Sequence, residues 1–147
     1  MCKCNKYRDD KLHHECGVLG IYGVDDAAGL AYYGLHTLQH RGQQGCGIVT
    51  VDEDGVFHRV KGEGLVTEVF NESKIAKLPG KMAIGHVRYD NAGNRGTENI
   101  QPFLFHHNSG DFAMANNGSI VNYRQLRNEL EDKGSLFQSS SDAEVLA

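Results

Sequence analysis

The 147-residue sequence contains no apolar run approaching the roughly 18 residues of a membrane-crossing helix, which excludes an α-helical span. Its first 15 residues, MCKCNKYRDDKLHHE, lack the apolar centre of a secretory signal. The four cysteines are therefore expected as thiols in a reducing compartment, the cytoplasm, rather than as disulfides. Basic residues are in deficit: 15 Lys and Arg against 19 Asp and Glu leave a net charge of −4. That excludes the basic patch of a nucleic-acid or anionic-membrane binder, so neither partner is expected. Only two prolines occur, Pro79 and Pro102, and there is no Pro-rich linker, internal repeat or low-complexity tract. A zinc spacing is missing too. Cys2, Cys4, His13 and His14 could together form a metal-binding tail, but the 8 residues between Cys4 and His13 fit no zinc motif. No metal site is expected in this chain.

What is present suits one domain with a real core, since 39% of the residues are hydrophobic and they are spread along the chain. The polar first 15 residues show no period and read as an extension. From Cys16 the texture changes. The run Gly17-Val18-Leu19-Gly20-Ile21-Tyr22-Gly23 reads as a buried strand. Asp25 and Asp26 can cap a helix whose apolar positions Ala27, Ala31, Leu35 and Leu38 recur every three to four residues. That helix is expected to end near His40-Arg41-Gly42. Two strands joined at Asp54-Gly55 predict a hairpin over 47–60. Residues 65–70 fit either a short helix or a strand. Further strands are expected at 81–89 and 112–116. Asn122 with Gln125 reads as a capping box opening a helix that carries Tyr123, Leu126 and Leu130 on one face. Ser141 with Glu144 reads as another, announcing a helix cut off at Ala147.

Cys16 is the first candidate for chemistry. If the chain were cut after Glu15, one residue would carry both a thiol and an α-amine. An α-amine with a pKa of about 7.7–8.0 is a usable base near neutrality and can activate its own nucleophile. The bland alternative is a small buried thiol. Asn117-Gly118 reads either as a hairpin turn or as an oxyanion hole made by a carboxamide N–H and a backbone N–H. Strand alternation puts His86 and Arg88 on one side with Val87 opposite. Arg88 then decorates a solvated face or clamps a carboxylate with its planar fork. Asp142 either favours a helix dipole or pairs with an ammonium. Arg88 and Asp142 together match the zwitterion of an amino acid.

Taken in order, CGVLGIYG, YYGLHTLQHRGQQGCGI, GEGLVTEVF, GHVRY, NAG, ENIQP and NNGSIVNYRQLRNELEDKGSLFQSSSDAEVLA resemble the glutaminase domain of the glutamine phosphoribosylpyrophosphate amidotransferases over residues 16–147. The resemblance implies an α+β N-terminal-nucleophile hydrolase fold, a four-layer αββα sandwich, of which this chain is an incomplete N-terminal part. It implies a propeptide over 1–15, removed by autocatalytic processing to expose Cys16 as nucleophile. Asn117 and Gly118 would form the oxyanion hole. Arg88 would bind the glutamine α-carboxylate and Asp142 its α-amine, with His86 and Asn91 in the same substrate site. Ammonia would pass to a phosphoribosyltransferase domain absent from this chain and attack phosphoribosylpyrophosphate, in the first step of de novo purine biosynthesis. Mg²⁺ and, in some members, a 4Fe–4S cluster are expected only in that missing part, and the full-length protein is expected to be a homo-oligomer.

Three positions depart from the family pattern. Asn91 stands where a substrate-holding Thr is usual, Cys46 where Ala is usual, and Ala143 where Thr is usual. Alternative readings are the glutaminase domain of another class II amidotransferase, such as glucosamine-6-phosphate synthase, or an unprocessed glutamine-binding module without turnover. The truncation at Ala147 leads one to expect a product that is poorly stable or inactive when expressed alone.

Overall fold

The structure is a computed structural model that describes residues 16–89 and 96–147. The N-terminal segment with Cys2, Cys4, His13 and His14 lies outside the described residues, as does Asn91. A four-stranded antiparallel sheet forms the centre, in the order β1 (Gly17–Tyr22), β4 (Met82–Arg88), β2 (Gly45–Val51), β3 (Phe57–Glu63). The expected hairpin is β2–β3, and its turn closes at Gly55 with a φ of 80°. The expected strand at 17–23 is present, but it is an edge strand with one face open rather than a fully buried one.

Helix α1 (Ala27–Thr37) begins where the sequence places it, because the Asp26 carboxylate accepts a hydrogen bond from the Gly29 N–H at 3.1 Å. It stops at Thr37, and a 3₁₀ turn over Gln39–Arg41 carries the chain on to Gly42. Ala27, Ala31 and Leu35 form the buried stripe of α1. They pack on Cys46 and Ile48 of β2 and on Ala83 and Val87 of β4. Gly85 lets the helix approach closely: a Cβ there would meet the Leu35 side chain at 3.1 Å. Complete burial of a side chain such as Leu35 is worth about 1.5–3 kcal/mol. The ambiguous segment resolves as helix α2 (Val66–Val69), which adds Val66 and Val69 to this core. A short helix α3 (Glu72–Ile75) follows, capped by Asn71.

The opposite face of the sheet meets a two-stranded ribbon, β5 (Phe103–Phe105) with β6 (Phe112–Met114), and the chain leading into it. Contact is close at Gly47, where a Cβ would lie 2.4 Å from the Gln101 carbonyl and 3.1 Å from Pro102. Beyond the ribbon, Gly20, Val49, Met82, Ile84 and Ala113 line an open apolar groove. Helix α4 (Tyr123–Asp132) lies against a 3₁₀ turn over Asp142–Leu146.

Both expected capping boxes are corrected. Asn122 precedes α4 without a side-chain cap, and Gln125 instead donates to Glu129 at 2.9 Å, one turn along. Ser141 does cap, accepting from the Ala143 N–H at 3.3 Å. Glu144, however, reaches further back, to Gln138 and Ser139, because the five residues after Ser141 wind as a tighter 3₁₀ turn.

Candidate active site

Cys16 lies immediately before β1, at the end of the sheet where β1 pairs with β4. The register sets Gly17 opposite Val87, so one step further along it brings Cys16 across from Arg88. The backbone at Tyr89 grips the thiol. Tyr89 N–H donates to the Cys16 sulfur at 3.3 Å, and the thiol points to the Tyr89 carbonyl at 3.5 Å. From the other side, Arg41 Nε donates to the Cys16 carbonyl at 3.3 Å. The half-buried thiol is thus held by backbone geometry and a cation, whereas Cys46 is fully buried among α1 and α2. Burial pushes the Cys46 thiol up to about 12, and the nearby Lys74 charge offsets only part of that.

Arg88 ends β4, half-buried, and its Nη1 donates to the Gly96 carbonyl at 3.4 Å. His86, two residues earlier, faces the same side but is 1% exposed. Neither ring nitrogen has a hydrogen-bond partner within 3.5 Å among the described residues, although the Asn116 backbone lies near enough to favour the protonated ring weakly. Burial dominates, and with the Arg88 charge it pushes the imidazole down to about 4, so the ring is neutral near pH 7. His86 is therefore a neutral, buried ring on the same side of β4 as Arg88.

Asn117 and Gly118 are exposed, in a loop between β6 and α4. The hairpin alternative fails here on two counts. No strand follows Gly118, and Asn117 does not take the positive φ that a type I′ turn demands. Gly118 has a φ of 142°, a backbone state that L side chains rarely adopt. The loop is tied at both ends. Asn116 N–H donates to Gln101 Oε1 at 2.6 Å, and Ile120 N–H donates to Asp142 Oδ2 at 2.7 Å. Asp142, half-buried at the start of its 3₁₀ turn, therefore sits beside the Asn117-Gly118 loop.

The structure thus gathers two pairs: Cys16 with Arg88, and Asn117-Gly118 with Asp142. Residues 96–101 run between them, touching Arg88 at Gly96 and the 116–118 loop at Gln101. Sequence reasoning missed Arg41, Asn99 and Gln101, and it gave Glu144 the wrong partner. The one available signal was Asn99-Ile100-Gln101, in which two amides flank an aliphatic residue ahead of an apolar strand.

The chain is similar to known proteins. The family model described as "Glutamine amidotransferase domain" matches residues 72–147. The amidophosphoribosyltransferase of Lacticaseibacillus casei is 52% identical over 136 residues, covering 92% of this chain and 70% of that protein. The chain belongs to the amidophosphoribosyltransferase family. Amidophosphoribosyltransferase 2, chloroplastic, of Arabidopsis thaliana is 54% identical over 94% of this chain. The chain spans about a quarter of the length of that relative, 25%. A solved structure described as the allosteric regulatory enzyme of purine biosynthesis superposes with a TM-score of 0.83 at 54% identity, covering 88% of this chain and 28% of its own. The Bacillus subtilis glutamine phosphoribosylpyrophosphate amidotransferase, complexed with ADP and GMP, gives 0.80 at 52% identity, with the same two coverages of 88% and 28%. The α+β N-terminal-nucleophile hydrolase fold expected from the sequence is the fold of this family member. Among the described residues no helix is long and apolar enough to cross a membrane.

Proposed function

We propose that the protein hydrolyses glutamine to glutamate and ammonia with Cys16 as nucleophile. The ammonia would serve the synthesis of phosphoribosylamine from phosphoribosylpyrophosphate, which makes the whole protein a glycosyltransferase at the entry to purine biosynthesis. The observation that carries this reading is the placement of the Cys16 thiol against the Tyr89 backbone, directly across the sheet end from Arg88. Nucleophile and carboxylate clamp then lie a single residue's reach apart.

The chemistry follows from the residue types. Removal of residues 1–15 as a propeptide leaves Cys16 with an α-amine whose ordinary pKa, about 7.7–8.0, suits a general base. The amine takes the thiol proton, and the thiolate attacks the side-chain amide carbon of glutamine. Arg88 holds the α-carboxylate by a bidentate fork, and Asp142 pairs with the α-ammonium. Asn91 and His86 would complete the substrate side, His86 as a neutral, buried ring two residues before Arg88. The tetrahedral oxyanion accepts hydrogen bonds from the Asn117 carboxamide and the Gly118 N–H, donors of a kind worth about 2.7–4 kcal/mol each. Collapse breaks the C–N bond, and the protonated amine delivers its proton to the leaving ammonia. Water then attacks the glutamyl thioester, releasing glutamate and restoring the thiol.

A reducing compartment such as the cytoplasm suits the required thiol. Mg²⁺ and, in some members, a 4Fe–4S cluster would belong to the phosphoribosyltransferase part of the whole protein. No step above passes through either group. The test is alkylation by a diazo-ketone glutamine analogue, followed by peptide mass mapping. Modification at Cys16 that glutamine protects against is expected. A protein that releases glutamate while Cys16 stays unmodified overturns the assignment.

A further inference from the structure

Residues 97–102 take no part in the chemistry above, yet two of their side chains are among the few buried polar groups. Asn99 is 5% exposed and Gln101 7%. Ile100 between them is extended, with φ −80° and ψ 123°, so its neighbours project away from its own direction. The aliphatic chain turns to the sheet: a Cβ on Gly45 would meet Ile100 Cδ1 at 2.7 Å. The two amides turn to two different loops. Asn99 Oδ1 accepts from both the N–H and the hydroxyl of Ser140, each at 3.1 Å. Gln101 Oε1 accepts from Asn116 N–H at 2.6 Å.

The segment is itself fastened to the sheet. Lys61 of β3 donates from Nζ to the Ile100 carbonyl at 3.0 Å and to the Glu98 carbonyl at 3.5 Å. Gly47 admits the Gln101 carbonyl and Pro102 against the β2 backbone. An anchored strip therefore presents two acceptors, two residues apart. One fixes the chain two positions before Asp142, and the other fixes the chain one position before Asn117.

We propose that Asn99 and Gln101 are positioning residues that hold the two halves of the glutamine site separately. Asn99 sets the Asp142 loop and hence recognition of the α-ammonium. Gln101 sets the Asn117-Gly118 loop and hence the oxyanion donors. The inference rests on the glutaminase reading given above. Its consequence is a separation of effects. An interaction made equally in ground and transition states moves KM, and one made only in the transition state moves kcat.

The experiment is steady-state glutamine hydrolysis by the protein, with Cys16 alkylation by the diazo-ketone run in parallel. Asn99→Leu is expected to raise KM for glutamine about tenfold with kcat nearly unchanged, the effect of losing one good hydrogen bond's worth of positioning. Gln101→Met is expected to lower kcat about tenfold with KM nearly unchanged. Gln101→Glu keeps the acceptor oxygen and is expected to recover most of kcat. Should the apolar variants fail to fold, Asn99→Ser and Gln101→Asn, which retract the acceptor but stay polar, are read for the same split. Equal movement of both parameters in the two variants, or no recovery with Gln101→Glu, overturns the proposal while leaving the glutaminase intact. A full-length, folded wild-type protein that neither hydrolyses glutamine nor labels at Cys16 overturns the functional reading itself, and the positioning roles with it.

Discussion

Asp142 accepts a hydrogen bond from the Ile120 backbone N–H at 2.7 Å across 22 positions of sequence. One carboxylate oxygen is thereby committed to the chain just beyond Asn117 and Gly118, and under the proposed function the rest of the group would take the substrate ammonium. Asp142→Asn keeps an acceptor for Ile120 but removes the charge. It is expected to raise KM for glutamine by roughly 10–100-fold, the range of a charge-assisted hydrogen bond, with kcat retained in large part. Asp142→Ala releases the loop as well, so kcat is expected to fall alongside the rise in KM. Steady-state kinetics on the two variants checks the difference.

His86 is a histidine kept neutral by burial, its imidazole pushed down from 6.5 to about 4. Between those values the unfolded chain binds a proton that the folded chain refuses. Stability is therefore full above pH 6.5, falls as the pH drops towards 4, and gains no further loss from this group below that. The shift corresponds to about 3 kcal/mol. His86→Leu is expected to flatten the stability curve between pH 6.5 and 4 relative to wild type, measured by urea unfolding across that range. Parallel curves for the two proteins would sink the assignment.

Cys16 and Cys46 predict opposite reactivities. Burial pushes the Cys46 thiol up to about 12, so it supplies almost no thiolate near pH 7. Its side chain lies in the core that α1 and β2 share. Iodoacetamide followed by peptide mapping is expected to modify Cys16 and spare Cys46 in the folded protein. Cys46→Ala is expected to cost no more than about 1 kcal/mol, since only one sulfur atom's volume is lost from the core.

The sheet, α1 and α4 were legible because each follows a local rule. Asp26 caps the helix that the 27/31/35 stripe defines, and Gly55 closes the β2–β3 hairpin. Cys16, Asn117, Gly118, Arg88 and Asp142 stood out by residue type and by resemblance, while the adjacency of Cys16 to Arg88 came only with the β1–β4 register. Asn99, Gln101 and Glu144 act at a distance from their own elements, so periodicity could not assign their partners. Glu144 shows the limit best: three residues after Ser141 it has the spacing of a capping box, and yet its oxygens turn to residues 138 and 139.

Glu144 is 4% exposed, and its carboxylate accepts three hydrogen bonds, from Gln138 N–H at 2.7 Å, Ser139 N–H at 2.8 Å and the Ser139 hydroxyl at 2.6 Å. Arg127 Nη1 closes the same corner by donating to the Ser139 carbonyl at 2.9 Å. Glu144→Ala leaves those donors facing a small cavity, and each unsatisfied buried group costs about 1–3 kcal/mol. The expected loss is about 3 kcal/mol, or roughly 6–12 °C in Tm for a chain of this size. Glu144→Gln preserves volume but turns an amide NH₂ towards a cluster of donors, so it is expected to recover only part of that loss. The loop so held carries Asp142, which predicts a rise in glutamine KM in both variants even at temperatures where they stay folded. Thermal unfolding and glutamine kinetics at 15–20 °C, about the temperature of maximum stability, separate the two effects. An Ala variant as stable as wild type would show that the buried carboxylate is not what holds the corner.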